Sequence, residues 1–359
     1  MKLVHIVGNR PQFIKLALLY KALASTETEN IIVHSGQHFD VNMSDVFFEQ
    51  LNIPVPDYSL GINNLSHNEM IGKMLVATDP ILLATEAACV IVYGDTNTTL
   101  AGALAARKRN IPVAHIEAGV RTGDETMPEE VNRYLTDRIA TFNFCCTSHN
   151  VDNLKREGFF SGTIRSHVYH SGDIMLDASL FFKNIARTKA RLPHDINVNR
   201  PFVLATIHRT ENTEDVDALR NIIAALNNIH QQTKVVFPMH PKTKALVHQH
   251  QIPVSFAMPD AIGYLESLAL VQSCSAVITD SGGLAREAFF FKKPVVVVMQ
   301  NPFWPEMFDH GNCLQSGSAT SEITAAYRQL LSTEKSFDTS IFGNGDAAEK
   351  ISNVIVSAL

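Results

Sequence analysis

Two carboxylates stand where short apolar runs give way to helical ones: Asp95 in YGDTNTTLAGALAA and Glu117 in HIEAGVRTGD. Acids at neighbouring strand ends suit general acid and base transfer of a proton. Asp95 fits equally well as the N-cap of the Ala-rich helix behind it. The segment RTGDETMPEEVNRYLTDRIA adds Glu129, Glu130 and Arg133. Pro128 suits a first helical turn, and acids beside it suit the helix dipole. Glu129 and Arg133 are four residues apart, so they can pair on one helix face, as surface support or as part of a site. In VGNRPQFIK, Arg10 sits where a strand hands over to a helix that also carries Lys15; such a junction favours anions, although a solvated loop Arg is the alternative. Further on, ATIHRTEN places His208 and Arg209 after a strand, and FPMHPKTK places His240 and Lys242 after another. VITDSGGLAREA then gives a strand, Asp280-Ser281-Gly282-Gly283, and a helix with Glu287. Paired glycines let backbone N–H groups approach a phosphate, and a helix N-terminus adds about 0.3–1 kcal/mol per charge. A plain strand-to-helix turn is the alternative there. G-x-G-x-x-G is absent, and the second strand ends in HSGQH without a ribose-binding acid, so nicotinamide chemistry is disfavoured.

These residues need a scaffold that brings strand ends together. Runs 3–7 (LVHIV), 31–34 (IIVH), 90–93 (VIVY), 112–116 (PVAHI) and 142–146 (FNFCC) read as strands buried on both faces, alternating with longer helical patterns. A second series covers 202–207, 234–237, 276–279 and 294–298, with helix-like segments such as 215–229 between. The predicted fold class is α/β, two doubly wound Rossmann-like domains in tandem. The seam is expected near HSGD at 170–173, giving domains 1–170 and 171–346, with an apolar helix at about 347–359 packing back on the first. Open sheets bind ligands beyond the carboxyl ends of their strands, so the expected ligand place is a cleft between the two domains.

The 359 residues, 45% hydrophobic and 18% charged, can fill two cores. Thirty Lys and Arg against 36 Asp and Glu give −6. That balance lacks the broad basic field which nucleic-acid or anionic-membrane partners need, so neither is expected. No apolar run reaches the roughly 18 residues of a membrane-spanning helix, and Met1-Lys2-Leu3-Val4 opens directly on a strand pattern; a soluble, cytoplasmic protein is the expectation. Cys89, Cys145, Cys146, Cys274 and Cys313 show no zinc or redox spacing, and reduced core thiols are expected. The fifteen His residues lack ligand spacing with a second His or Cys, so no metal site is expected.

GNRPQFIK, SGQHFD, YGDTNTTLAGALAA, HIEAGVRTGD, MPEEVNR, HRTEN and TDSGGLAREA occur in that order along nearly the whole chain. Together they resemble the non-hydrolysing UDP-N-acetylglucosamine 2-epimerases and their relatives acting on UDP-2,3-diacetamido sugars. The resemblance implies a glycosyltransferase-B fold, no cofactor, a homodimer, and inversion at C2 by elimination and re-addition of UDP, in the making of surface polysaccharide precursors. It also implies roles. Asp95, Glu117 and Glu129 match the acid/base carboxylates. Arg10, His208 and Arg133 match groups that stabilise departing UDP, and Ser281, Gly282 and Gly283 match the diphosphate cradle. Glu287 matches the ribose-binding carboxylate, Lys15 a further active-site residue, and Tyr264 a position near the uracil.

Departures from the family pattern are specific. Gln300 stands at the usual Arg position in MQNPFWPE, in a loop one residue shorter. Gln37, Arg209 and His240 match residues with which some members bind a second substrate molecule as activator, while an Arg near LSHNEMIG is missing and Asp40 replaces another contact. RTGD favours UDP-N-acetylglucosamine as substrate, whereas GNRPQFIK and the stretch from SGQHFD to PVPDY look more like the diacetamido-glucuronate branch. The alternatives to the leading reading are therefore a UDP-2,3-diacetamido-2,3-dideoxy-glucuronate 2-epimerase and a glycosyltransferase of the same fold. A hydrolase that releases free N-acetylmannosamine and an inactive nucleotide-sugar binder are the remaining ones.

Overall fold

The β-branched runs form strands, and every strand pairing among the described residues is parallel. A computed structural model describes residues 1–37, 48–193, 196, 198–309, 311–334 and 336–359; the HFD of SGQHFD, Asp40 included, lies outside the described residues. The first sheet contains β1 (Lys2–Val7), β2 (Glu29–His34), β3 (Tyr58–Ser59), β4 (Cys89–Tyr93), β5 (Val113–Ala118), β6 (Phe142–Cys145) and β7 (His167–His170), in the order β3-β2-β1-β4-β5-β6-β7. Its strand order reverses between β1 and β4, the place where open sheets hold ligands. The second sheet contains β8 (Phe202–Thr206), β9 (Lys234–Val236), β10 (Ala276–Thr279), β11 (Val295–Val298) and β12 (Cys313–Ser316), in the order β12-β11-β10-β8-β9. There the reversal lies between β8 and β10, and single parallel bridges at Ala257 and Asp260 continue the sheet past β9. Two doubly wound α/β units result, as the strand pattern predicts.

The boundaries differ from the expected ones. One compact unit is Met1–Leu180 with Ser340–Leu359, and the other is Phe181–Thr339. HSGD stays with the first unit because Ser171 N donates to the carbonyl of Cys145 on β6 (3.0 Å), and Asp173 N to the carbonyl of Phe342 (2.8 Å). The division therefore falls inside the helix Ile174–Lys189, and the returning chain begins at 340. Its last helix, Ala347–Ala358, packs on the helix Arg10–Leu23.

In the first unit the helix Asn97–Lys108 buries Leu100, Ala101, Ala103, Ala105 and Ala106. Small residues let it sit low on the sheet: a Cβ on Gly102 would come within 2.9 Å of the Ile6 side chain. The core of the second unit is built from Val203, Ala205, Ile222, Leu226, Val296 and their neighbours. All five cysteines are free and buried, and burial pushes the thiols of Cys89 and Cys274 up to about 12 and raises those of Cys145 and Cys313 as well. Among the described residues, no helix is long and apolar enough to cross a membrane.

Candidate active site

Gly8 ends β1 at a point where no side chain fits. A Cβ there would lie 2.1 Å from Ser35 Oγ and 2.5 Å from Thr98 Oγ1. Asn9 then caps the helix Arg10–Leu23 in a reciprocal box with Gln12. Buried Gln12 also donates Nε2 to the Tyr93 carbonyl (2.7 Å), Thr96 Oγ1 (3.0 Å) and Thr99 Oγ1 (3.1 Å), which ties this helix to the turn after β4. Arg10 is half-buried at the first position of the helix. Lys15, buried on the same helix, sets Nζ 2.7 Å from Glu117 Oε2.

Glu117 lies at the end of β5, where the register with β6 shifts, and it has φ +75°. A non-glycine residue in that region carries backbone strain, of order 1–3 kcal/mol, that the surroundings must hold. Thr96 occupies the N-cap of the helix Asn97–Lys108, so the cap reading of Asp95 does not apply. The Asp95 carboxylate instead pairs with Arg133 Nη2, and its carbonyl accepts from Asn132 Nδ2 (2.9 Å). Arg133 turns its other nitrogen to Glu130 (2.5 Å) rather than to Glu129. Burial opposes the guanidinium charge, yet Asp95 and Glu130 outweigh it and raise its proton affinity. Glu130 is fully buried, and its Oε1 accepts from the N–H groups of Thr122 and Gly123, both at 2.9 Å, which folds the RTGD loop onto the helix Pro128–Ile139. Glu129, one position earlier, is half-buried, and among the described residues its side chain has no hydrogen-bond or ion-pair partner. Glu117, Cys146 and Asp173 bring donor atoms within 4.8 Å of one another. The Lys15 ammonium sits on Glu117 Oε2 of this group.

In the second unit, buried Asp280 organises the loop after β8. It accepts from the N–H of Arg209 (2.9 Å), the N–H of His208 (3.1 Å) and Asn212 Nδ2 (3.0 Å), and stands 3.1 Å from His208 Nδ1. Burial would raise this carboxyl, but His208, Asn212 and the Arg209 N–H together hold it below the usual range. The His208 ring remains exposed. Ser281 caps the helix Gly282–Phe290 by accepting from Leu284 N (3.3 Å). A Cβ on Gly282 would lie 2.7 Å from the Phe303 ring, whereas one on Gly283 would meet nothing nearer than Ser281 Oγ at 3.8 Å. Packing thus accounts for the first glycine and leaves open space above the second. Glu287 is buried in the same helix beside Arg286, which stacks on Trp304 at 4.1 Å. Tyr264 opens the helix Tyr264–Ser273, buried and edge-on to Phe182 at 5.7 Å.

The first unit therefore joins Lys15 to Glu117 and Arg133 to Asp95 at the ends of neighbouring strands. The second gathers His208 and Ser281 around Asp280. Reading the sequence missed Asp280, Gln12 and Glu130 as the residues holding these groups in place. A polar residue at a strand end or a helix start was the available signal for the first two. The matches to an activator site are in other use: Gln37 Oε1 accepts from Thr98 Oγ1 (2.8 Å), Arg209 Nε donates to the Asp280 carbonyl (3.2 Å), and His240 caps the helix Pro241–Gln249.

The profile described as UDP-N-acetylglucosamine 2-epimerase matches residues 21–356. The chain belongs to that family. It is 42% identical over 357 residues, 99% of both chains, to the UDP-2,3-diacetamido-2,3-dideoxy-D-glucuronate 2-epimerase of Pseudomonas aeruginosa. The structure of the Methanocaldococcus jannaschii UDP-GlcNAc 2-epimerase, in complex with UDP-GlcNAc and UDP, superposes with a TM-score of 0.90 at 34% identity, covering 99% of this chain and 100% of that one. A spinosyn rhamnosyltransferase, at TM-score 0.54 and 14% identity over 99% of this chain and 96% of its own, shares the fold alone; the epimerase family is glycosyltransferase-B-like. As a family member the chain is an isomerase.

Proposed function

We propose that the chain interconverts UDP-N-acetylglucosamine and UDP-N-acetylmannosamine by eliminating and re-adding UDP. The observation that carries this reading is the pair of cation-matched acids, Lys15 with Glu117 and Arg133 with Asp95, at the ends of adjacent strands β5 and β4. The C2 hydrogen of the sugar is not next to a carbonyl, so it cannot leave by enolisation. A carboxylate takes that proton, the C2–H electrons become the C1–C2 double bond, and the C1–O electrons leave with UDP. Re-addition reverses these steps, with the proton delivered to the other face of C2. One acid must be ionised and another protonated in each direction, a demand that Asp95, Glu117 and Glu129 meet as a group. Their different surroundings support a division of labour. Asp95 and Glu117 are each held against a cation, while Glu129 has no ion-pair partner among the described residues.

The Ser281-Gly282-Gly283 turn holds the diphosphate, supported by the open space over Gly283 at a helix N-terminus. His208 and Arg10 serve the charge that develops on departing UDP, Glu287 serves the ribose, and Tyr264 shapes the floor near the uracil. Arg133 acts on UDP through Asp95, which it pairs with on one side while buried Glu130 takes its other nitrogen.

Incubation with UDP-N-acetylglucosamine in deuterated water tests the reading. Proton NMR should show product and recovered substrate with deuterium at C2; turnover that keeps the C2 proton overturns the path. The identity to the Pseudomonas enzyme favours a second reading, UDP-2,3-diacetamido-2,3-dideoxy-glucuronate as substrate. A side-by-side assay of the two UDP-sugars decides between them. The protein works in the cytoplasm as a homodimer, in the supply of surface polysaccharide precursors. Five reduced thiols support the first point. Exposed Val76 and Leu83 on the helix His67–Thr85 and Val131 and Leu135 on the helix Pro128–Ile139 support the second.

A further inference from the structure

A fully buried imidazole and carboxylate lie behind the two acid-bearing turns. His115 on β5 sets Nε2 2.7 Å from the Gly94 carbonyl, immediately before Asp95, and Nδ1 2.6 Å from Asp137 Oδ1. Asp137 Oδ2 accepts from the N–H of Gly119 (3.1 Å), two residues after Glu117, and from Arg121 Nη1 (2.8 Å). Arg121 in turn grips Glu157 through Nε and Nη2, each at 2.8 Å, and lies over the Tyr134 ring. One side-chain pair is therefore bonded to the turn after β4 and to the turn after β5. Gly94 is also fixed from its other side, its N–H donating to the Ile116 carbonyl at 2.9 Å.

A carbonyl oxygen and a carboxylate can only accept, so both nitrogens of a ring placed between them carry hydrogen. With His115 doubly protonated, the group His115, Asp137, Arg121 and Glu157 sums to zero charge, as a buried network needs. We propose that His115 is a permanent imidazolium, held by Asp137, and that this pair is the strut that sets the positions of Asp95 and Glu117. Both are positioning residues, and that part of the inference rests on the acid/base reading of Asp95 and Glu117. Burial opposes the Asp137 charge, but Arg121 and His115 hold its carboxyl below the usual range. The other titratable groups around the pair are Tyr134, Glu157, and the buried thiol of Cys145, which burial and Asp137 push up. A small displacement of reacting groups costs about a hundredfold in rate, so a loosened strut should act on turnover before binding.

Protein made with isotope-labelled histidine tests the charge, the His115 signals being assigned from the spectrum of His115→Gln, or of Asp137→Asn if His115→Gln does not fold. At pH about 8, where a free imidazole is neutral, both ring nitrogens of His115 should give protonated shifts. A neutral ring at that pH overturns the proposal. Folded His115→Gln should lose about tenfold or more in kcat with KM for the UDP-sugar within about threefold. Unchanged kcat, or a loss confined to KM, overturns the strut. In Asp137→Asn the ring should become neutral at pH about 8, with the same fall in kcat; a ring that stays charged there, or full turnover, also overturns it. If the wild type lacks C2 exchange altogether, the epimerase reading fails while the ring spectrum still decides the charge.

Discussion

Lys15 Nζ stands 2.7 Å from Glu117 Oε2, with the lysine buried and the glutamate at φ +75°. The backbone of Glu117 is strained into place, and its carboxylate is matched by one ammonium from another element. Removing one partner of a buried ion pair leaves a charge without compensation, which costs about 3–5 kcal/mol. Lys15→Met should therefore lower thermal stability by several degrees, and the loss should shrink in Glu117→Gln/Lys15→Met. A double-mutant cycle in urea checks it; additive effects mean that the pair is not coupled.

Glu129 and Glu130 are adjacent, and the two should fail in opposite ways. Glu130 is buried and holds Thr122 N, Gly123 N and Arg133, so Glu130→Gln should destabilise the protein. Glu129→Gln should keep its unfolding midpoint and lose at least about tenfold in turnover, the low end of what a positioned acid contributes. Asp95→Asn and Glu117→Gln should lose similar turnover while UDP still binds, as calorimetry can show. Full activity in all three removes the acid/base assignment.

The glycines separate in the same manner. Gly8→Ala puts a Cβ 2.1 Å from Ser35 Oγ and should abolish soluble folded protein. Gly283→Ala meets no protein atom closer than 3.8 Å, so the fold should hold. If the diphosphate lies against that backbone, UDP affinity should drop about tenfold or more, in line with losing a close phosphate approach. Wild-type affinity in Gly283→Ala places the diphosphate elsewhere.

Asp177 gives the stability curve a feature of its own. Its carboxylate accepts from Ala348 N at 2.7 Å, holding the start of the last helix. Burial foremost, with Asp173 and Asp346, pushes it up to about 6 from 3.8, against the pull of the Ala348 and Ala347 N–H groups. Between those values the folded protein keeps a proton that the unfolded chain has released, so this group's contribution falls as pH rises through the window. Above pH about 6 the penalty is complete, on the order of 3 kcal/mol. Asp177→Asn keeps an acceptor for Ala348 N and has nothing to ionise. It should melt higher than wild type at pH about 7.5 and lose that advantage near pH 4, a difference that thermal unfolding at the two pH values measures. Equal melting at both would show that the carboxyl is not perturbed.

Most of the fold was legible because its strands are buried on both faces and leave Val and Ile runs such as VIVY and PVVVV. β7 (HVYH) and β12 (CLQS) were not, since edge strands with exposed positions carry no such run. Asp95 and Glu117 could be read from their places at strand ends. What remained hidden was which partner each would find. Arg133 has acids at three and four residues' distance, and only the three-dimensional position of Asp95 selects Glu130 over Glu129. The work of Gln12 and Asp280 is to bond backbone groups far away in sequence, which local spacing cannot reveal. The domain seam was misplaced for a similar reason: Ser171 and Asp173 are held by carbonyls of Cys145 and Phe342.

The five sequestered thiols make the chain its own unfolding clock. With each sulfur buried, and ionisation suppressed at Cys89, Cys145, Cys274 and Cys313, a maleimide or disulfide reagent has nothing to attack while the protein stays native. Any labelling then reports whole openings of a unit, and Cys89, Cys145 and Cys146 report on one unit while Cys274 and Cys313 report on the other. Counting modified peptides against time would resolve which half opens first, without an added probe or an engineered site.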